Sequence, residues 1–200
     1  MSNPAFWDSR YASPDYAYGT APNAGLVALE HLLPREARVL VPGDGEGRNG
    51  VWLATRGHQV SVVDQSATGL RKCAQLAESR GVGVNVLHAD LADYRPEPAG
   101  FDALVLVFVH LPPDLRRRVH QRLLAALRPG GVLILEGFDR SHAGLPGGGP
   151  RDPAWLFDAA MLRADFVACP ELSVELIDGD LDEGPWHQGH ARVLRVFGRT

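Results

Sequence analysis

Two hundred residues, 45% of them apolar and 22% charged, suit one soluble globular domain that buries its own core. A formal charge of −4 argues against nucleic acid as the main partner, because neutralising several phosphates calls for a basic surface. With no apolar run of 18 residues there is no membrane span, and the first eight residues lack the basic and apolar regions of an export signal, so the cytoplasm is the expected compartment. Cys73 and Cys169 are too few for a disulfide framework or a four-ligand zinc set, and no metal is expected.

In chain order, residues 1–33 precede the first strand, with a helix expected over 23–33. Residues 37–41 read as strand one. A glycine turn follows, then a helix over 49–56 that Gly57 is placed to end. Residues 60–64 form strand two, and Ser66 is suited to cap the next helix, where Leu70, Cys73, Ala74 and Ala77 recur on one face. Strand three is expected at 84–87. The seven-residue apolar run 103–109 reads as a central strand covered on both faces. Leu115, Val119, Leu123 and Leu127 repeat at helical spacing, with Arg116, Arg117 and Arg118 on a solvated face. A turn at 128–131 leads into strand five at 132–135. Beyond a Gly- and Pro-rich loop at 141–153, a helix is expected over 154–164. Two last strands near 174–177 and 191–197 have no helix between them, which implies an antiparallel pair at the sheet edge. The rhythm is α/β: a doubly wound, mostly parallel seven-stranded sheet with an antiparallel edge strand. Its expected parts are a helical arm or lid (1–33), a cofactor-binding core (37–138) and a substrate-side loop, helix and strand pair (139–200).

In such a sheet, ligands bind beyond the carboxyl ends of the strands, at the switch point. Gly43, Asp44, Gly45, Glu46, Gly47, Arg48 and Asn49 follow strand one there. Asp64 ends strand two about twenty residues on, where a carboxylate is able to accept from both ribose hydroxyls. A dinucleotide fingerprint requires a third glycine where this chain has Arg48, so the spacing favours S-adenosylmethionine over NAD. After strand three, Asp90 is a candidate acceptor for an adenine amino group, with Leu91 packing on the ring. The competing reading of Asp90 is an Asx turn.

With these residues in place, the chain resembles the class I S-adenosylmethionine-dependent methyltransferases, in particular the small bacterial branch related to the tellurite-resistance methyltransferases. The resemblance rests on several ordered motifs. They are Trp7-Asp8-Ser9-Arg10-Tyr11, Tyr16-Ala17-Tyr18-Gly19-Thr20-Ala21-Pro22-Asn23, Gly45-Glu46-Gly47-Arg48-Asn49, Val63-Asp64-Gln65-Ser66, Leu127-Arg128-Pro129-Gly130-Gly131, Leu135-Glu136-Gly137-Phe138, and Leu181-Asp182-Glu183-Gly184 with His187-Gln188-Gly189. It implies a Rossmann-like methyltransferase fold. It also implies a glycine loop under the methionine part of the cofactor, Asp64 and Gln65 near the ribose, Phe108 close to the cofactor, and an arm with Tyr16 and Tyr18 folded over the site. One departure stands out. Where many members carry an acidic residue two positions before the first glycine, this chain has Val41, which makes Asp44 the candidate for that charge.

Transfer of a sulfonium methyl is an in-line displacement in which positioning does much of the work. A thiol, selenium or tellurium acceptor needs no base, whereas an oxygen or nitrogen acceptor calls for one with a pKa near the working pH. His110, after strand four, is the candidate base, and a histidine satisfied by the adjacent turn is its competing reading. Tyr18 is the arm tyrosine expected to face the site. His187 and His190 lack a clear third metal ligand unless Glu183 joins them, so a polar substrate-facing loop is the favoured reading. The 147–150 loop is a second substrate-side candidate. The sequence therefore predicts adenosylmethionine-dependent methyl transfer to a small molecule, with no nucleic acid or membrane partner and an open oligomeric state. A non-catalytic adenosylmethionine-binding or regulatory protein, and a nicotinamide-dependent reductase, are the alternatives.

Overall fold

The computed structural model describes residues 4–200; the first three residues of the arm lie outside this range. Seven strands form one sheet: β1 (Arg38–Pro42), β2 (Gln59–Asp64), β3 (Asn85–His88), β4 (Phe101–Val107), β5 (Leu127–Phe138), β6 (Glu171–Asp182) and β7 (Gln188–Arg199). Their order is β3-β2-β1-β4-β5-β7-β6. β1 through β5 pair in parallel, while β7 runs antiparallel to both β5 and β6. The expected antiparallel pair is thus present, with the reversed strand one position in from the edge. β1 lies between β2 and β4, so chain direction across the sheet switches at its carboxyl end.

Strand residues alternate between two cores. Leu40, Leu104, Leu106, Leu133 and Leu135 pack against Leu115, Val119 and Leu123 of α5 (Pro113–Leu124) and against Leu162 and Phe166 around α6 (Ala159–Asp165). Val39, Val41, Val60, Val62, Val105 and Ile134 face Leu26 of α2 (Ala24–Leu29), Val51 and Leu53 of α3 (Arg48–Thr55), and Leu70, Cys73 and Leu76 of α4 (Ala67–Ser79). The chain opens with α1 (Pro4–Arg10). Two-sided burial accounts for the unbroken apolar runs of the central strands. Among the described residues, no helix is long and apolar enough to cross a membrane.

The last two strands are longer than expected, and the helix over 23–33 is α2 followed by a 3-10 turn at Glu30–Leu32. Three further differences from the sequence reading have a visible physical cause. β4 ends at Val107 rather than at residue 109, because Phe108 has φ +54°, a left-handed conformation that no strand continues. The expected turn at 128–131 is an excursion inside β5: Phe101 faces Leu127, and the next pair is Ala103 with Val132. The helix expected over 154–164 divides into a 3-10 turn at Pro153–Trp155 and α6. Between them Leu156 and Phe157 are fully buried, and Phe157 N–H donates to Phe138 O at 2.9 Å. This extended contact with the sheet interrupts the helix.

Candidate active site

Beyond β1 the chain turns on Gly43, Gly45 and Gly47, all at positive φ (70°, 56° and 89°). Gly45 N–H donates to Asp64 Oδ2 at 2.9 Å, and Ser66 N–H donates to Asp64 Oδ1 at 2.8 Å. The expected meeting of glycine loop and strand-end carboxylate is therefore a direct contact. Burial raises the Asp64 pKa, while the N–H groups of Ser66 and Gly45 pull it down. A Cβ on Gly45 would collide with the Tyr11 hydroxyl, so this glycine lets the arm lie directly on the loop. Gly47 caps α3, and a Cβ there would collide with Cys73 of α4, so its smallness serves helix packing. Gln65 follows Asp64, and its carbonyl accepts from His88 Nε2 at 2.9 Å.

The arm is held over the loop by polar contacts. Asp8 accepts from Ser66 Oγ (2.6 Å) and Thr68 N–H (3.0 Å) at the start of α4. Glu46 accepts from Ala17 N–H at 2.8 Å and pairs with Lys72, which also donates to the carbonyls of Ser13 and Asp15. Tyr16 donates to Lys72 O at 3.1 Å, turning toward α4. Tyr18 instead sits beside His187, ring centroids 4.6 Å apart.

Several sequence-predicted residues have other tasks. Asp44, expected to carry charge toward the methionine, turns into the start of α3, where it accepts from Gly50 N–H (2.7 Å), Asn49 N–H (3.3 Å) and Asn49 Nδ2 (3.0 Å). Burial pushes its carboxyl up to about 6 against these hydrogen bonds. Helix capping is therefore its visible role. Asp44→Ala is expected to cost about 1–2 kcal/mol of stability in urea melts, the range for a lost cap. Asp44→Asn keeps one acceptor but sets an NH2 against a donor that the second oxygen now receives, so it is expected to lose part of that stability as well. Asn49 is committed too: its Oδ1 accepts from Asn23 N–H at 2.9 Å while its Nδ2 serves Asp44. Asp90 forms the competing Asx turn, accepting from Ala92 N–H at 2.8 Å. Leu91 is buried in the sheet–α5 core rather than presented to a ring, because α5 closes over it and Arg122 holds its carbonyl.

His110, the expected base, has no free nitrogen. Nδ1–H donates to Trp155 O (2.8 Å) and Nε2 accepts from Phe138 N–H (3.1 Å), with the ring stacked on Phe157. Burial pushes its pKa down to about 4, so it is neutral and fixed in one tautomer. His110 joins β4, β5 and the 155–157 segment and cannot act as the general base in this arrangement. Phe108, just before it, holds a strained backbone of the kind that clusters at functional sites. Its ring faces Phe138 (4.7 Å) and His187 (4.4 Å).

The residues that sequence reading passed over join distant parts of the chain. Asn23 Nδ2 donates to Glu136 Oε1 (2.6 Å) and Glu183 Oε1 (2.9 Å), and its Oδ1 caps α2 by accepting from Leu26 N–H at 2.8 Å. Glu136 pairs with Arg195 at 2.8 Å and Glu183 with Arg48 at 2.6 Å. Arg48, placed by sequence at the cofactor, thus faces the 183–187 turn. Gly25 makes room, since a Cβ there would collide with the Glu136 carboxylate. The only sequence signal for this network was that Asn23, Arg48, Glu136 and Glu183 fall within the ordered motifs. His187 and His190 part company: His187 is buried among Tyr18, Phe108 and Phe138, while His190 pairs on the surface with Asp178 at 3.0 Å. The 147–150 loop lies against this aromatic patch, with Gly148 O accepting from His142 Nε2 at 2.8 Å. Tyr18, Phe108, Phe138 and His187 thus line the ends of β4 and β5, beside the loop that Asp64 braces.

Residues 39–131 match the family model described as a methyltransferase domain. A tRNA 5-carboxymethoxyuridine methyltransferase of Escherichia coli K12 is 36% identical over 166 residues, covering 66% of this chain and 62% of that protein. The chain thus matches less than two thirds of that relative's length. A thiopurine S-methyltransferase of Vibrio cholerae is 26% identical over 186 residues, covering 84% of this chain and 83% of that protein. Among solved structures, TehB from Haemophilus influenzae superimposes with a TM-score of 0.75 at 15% identity, covering 98% of this chain and 66% of that one, a likeness of fold.

Proposed function

We propose that the chain, whose residues 39–131 match a methyltransferase domain, is a class I S-adenosylmethionine-dependent methyltransferase that transfers a methyl group to a small-molecule acceptor whose nucleophile is sulfur, selenium or tellurium. The observation that carries the cofactor assignment is Asp64, a carboxylate at the end of β2 that already receives the Gly45 N–H of the loop. The residues fit the group: a ribose needs an acceptor at a strand end, and glycines allow the close approach of its chain. When bound, adenosylmethionine supplies a sulfonium-activated methyl group. Asp64 and the Gly43–Gly47 loop then hold it, and Tyr11 with the arm excludes water. The half-buried rings of Tyr18 and Phe108, backed by the fully buried Phe138, orient the acceptor. His110 offers no lone pair, which favours a soft nucleophile over one that must first lose a proton to a base. The thiopurine S-methyltransferase match runs across most of both chains, and the charge of −4 gives RNA little attraction, which supports a small acceptor over a tRNA.

Titration calorimetry with adenosylmethionine, S-adenosylhomocysteine and NADH tests this reading. Asp64→Ala is expected to weaken S-adenosylhomocysteine binding by about 10- to 150-fold, or about 1.5–3 kcal/mol for hydrogen bonds to a charged group. Unchanged affinity would make Asp64 a brace for the loop alone, and binding of NADH alone would sink the methyltransferase reading. Tight adenosylmethionine binding without transfer to thiols, selenite or tellurite would favour a regulatory protein.

A further inference from the structure

Beside the aromatic patch, two buried polar atoms have no hydrogen-bond partner among the described residues: Arg48 Nη1 and His187 Nδ1. Each residue is only 6% exposed. Burying an unpartnered donor is costly, so such groups call for an explanation. Both side chains are held in place by neighbouring contacts. Arg48 is anchored through its other terminal nitrogen to Glu183, and a tight turn ties Glu183 to His187: Glu183 N–H donates to His187 O at 2.9 Å, and His187 N–H to Gly184 O at 3.0 Å. The His187 ring is walled by Phe108 (4.4 Å), Tyr18 (4.6 Å) and Phe138 (5.4 Å).

The local charge is positive. Burial and then the Arg48 charge depress the His187 pKa to about 3, and Arg10 adds to the effect, so the ring is neutral and carries one N–H to donate. Arg10 donates to the Tyr18 hydroxyl at 3.1 Å and stacks over Trp186 at 4.0 Å; among the described residues it has no carboxylate partner. Glu183 therefore answers one of the two guanidinium charges at this end of the sheet.

We propose that Arg48 and His187 form a carboxylate-binding subsite in which Arg48 Nη1 and His187 Nδ1–H each donate to the carboxylate of a bound reactant. The proposal rests on the methyltransferase reading above and names the chemical group that this end of the site selects. Two donors beside an unbalanced positive charge suit the two oxygens of a carboxylate. That group comes from one of two sources: the amino-acid end of the cofactor, or a carboxylate on the acceptor. Arg48 opens α3 directly after the glycine loop, while His187 sits over Phe108 and Phe138, so the subsite borders both reactants.

Matched pairs of probes distinguish the sources. S-adenosylhomocysteine is compared with 5′-methylthioadenosine, which lacks the amino-acid carboxylate, and 2-mercaptobenzoate with thiophenol. Calorimetry measures all four on the wild-type chain, Arg48→Lys and His187→Gln, with thermal melts to verify folding. Arg48→Lys keeps a cation for Glu183 but removes the second guanidinium arm, and His187→Gln leaves the ion pair in place. Both variants are expected to weaken one carboxylate-bearing probe tenfold or more while its carboxylate-free partner stays within twofold. A split in the first pair assigns the subsite to the cofactor, and a split in the second assigns it to the acceptor. Equal or negligible changes within both pairs overturn the subsite, as does a wild-type chain that favours neither carboxylate-bearing probe over its partner. Failure of the wild-type chain to bind either adenosyl probe counts against the methyltransferase reading instead, and the 2-mercaptobenzoate pair then still decides the subsite.

Discussion

Asn23→Asp is expected to destabilise the protein by about 4 kcal/mol, the size seen when a buried charged network loses a partner. The substitution is nearly isosteric and retains an oxygen able to accept from Leu26 N–H, so the α2 cap survives. It removes both donors that Nδ2 gives to Glu136 and Glu183, each a hydrogen bond to a charged group at about 1.5–3 kcal/mol. It also brings a third carboxylate between those two in a fully buried position, leaving only Arg48 and Arg195 to balance three charges. At about 2–4 °C per kcal/mol for a chain of this size, Tm falls by about 10 °C. Urea melts at pH 7 measure the free energy. A variant within about 1 kcal/mol of wild type would mean that the carboxylates are held by their arginines and need no amide.

Stability is also expected to fall as the solution is acidified from about pH 6.5 toward pH 4. His110 and His187 have folded-state pKa values pushed down to about 4 and about 3 by burial, against 6.5 in the unfolded chain. In this window the unfolded state binds protons that the folded state refuses, so the free energy of unfolding decreases as pH decreases. At about 1.4 kcal/mol per proton per pH unit, each histidine removes about 3 kcal/mol across the window. Asp44 works in the opposite sense. Its carboxyl, raised by burial to about 6, takes up a proton more readily folded than unfolded and returns about 3 kcal/mol between pH 6 and 4. From these three groups the net loss is about 3 kcal/mol. Urea melts at pH 7.0, 5.5 and 4.5 measure it. His187→Gln removes one of the two opposing protons and flattens the profile, so an unaltered slope in that variant would show that His187 is not the residue being titrated.

Both expectations concern groups whose importance is hard to read in one dimension. The sheet was legible because burial on two faces leaves apolar runs and helices leave a period of three to four residues. The missing helix between the last strands likewise announced an antiparallel pair, though not that its inner member, β7, is the reversed strand. The nearness of the glycine loop to Asp64 was legible for the same reason, although the sequence assigned that carboxylate to a ribose and not to Gly45 N–H. In a doubly wound sheet the ends of β1 and β2 must lie side by side, so the strand pattern places the loop next to the carboxylate. The split at Leu156–Asp158 was not, because apolar residues of a helix and of a short extended contact look alike over so few positions.

From the sequence alone come the fold class, the switch-point loop with Asp64 beside it, and the ordered motifs that carry the methyltransferase resemblance. Only the tertiary structure decided which polar groups remain free to act. Asp44 and Asn49 are spent on a helix start, His110 is locked between Trp155 and Phe138, and Arg48 reaches Glu183 across 135 positions of chain. The difference is physical. Strands, helices and turns answer to neighbours a few residues away, whereas a buried side chain takes its hydrogen-bond partner from whatever segment the folded chain brings against it.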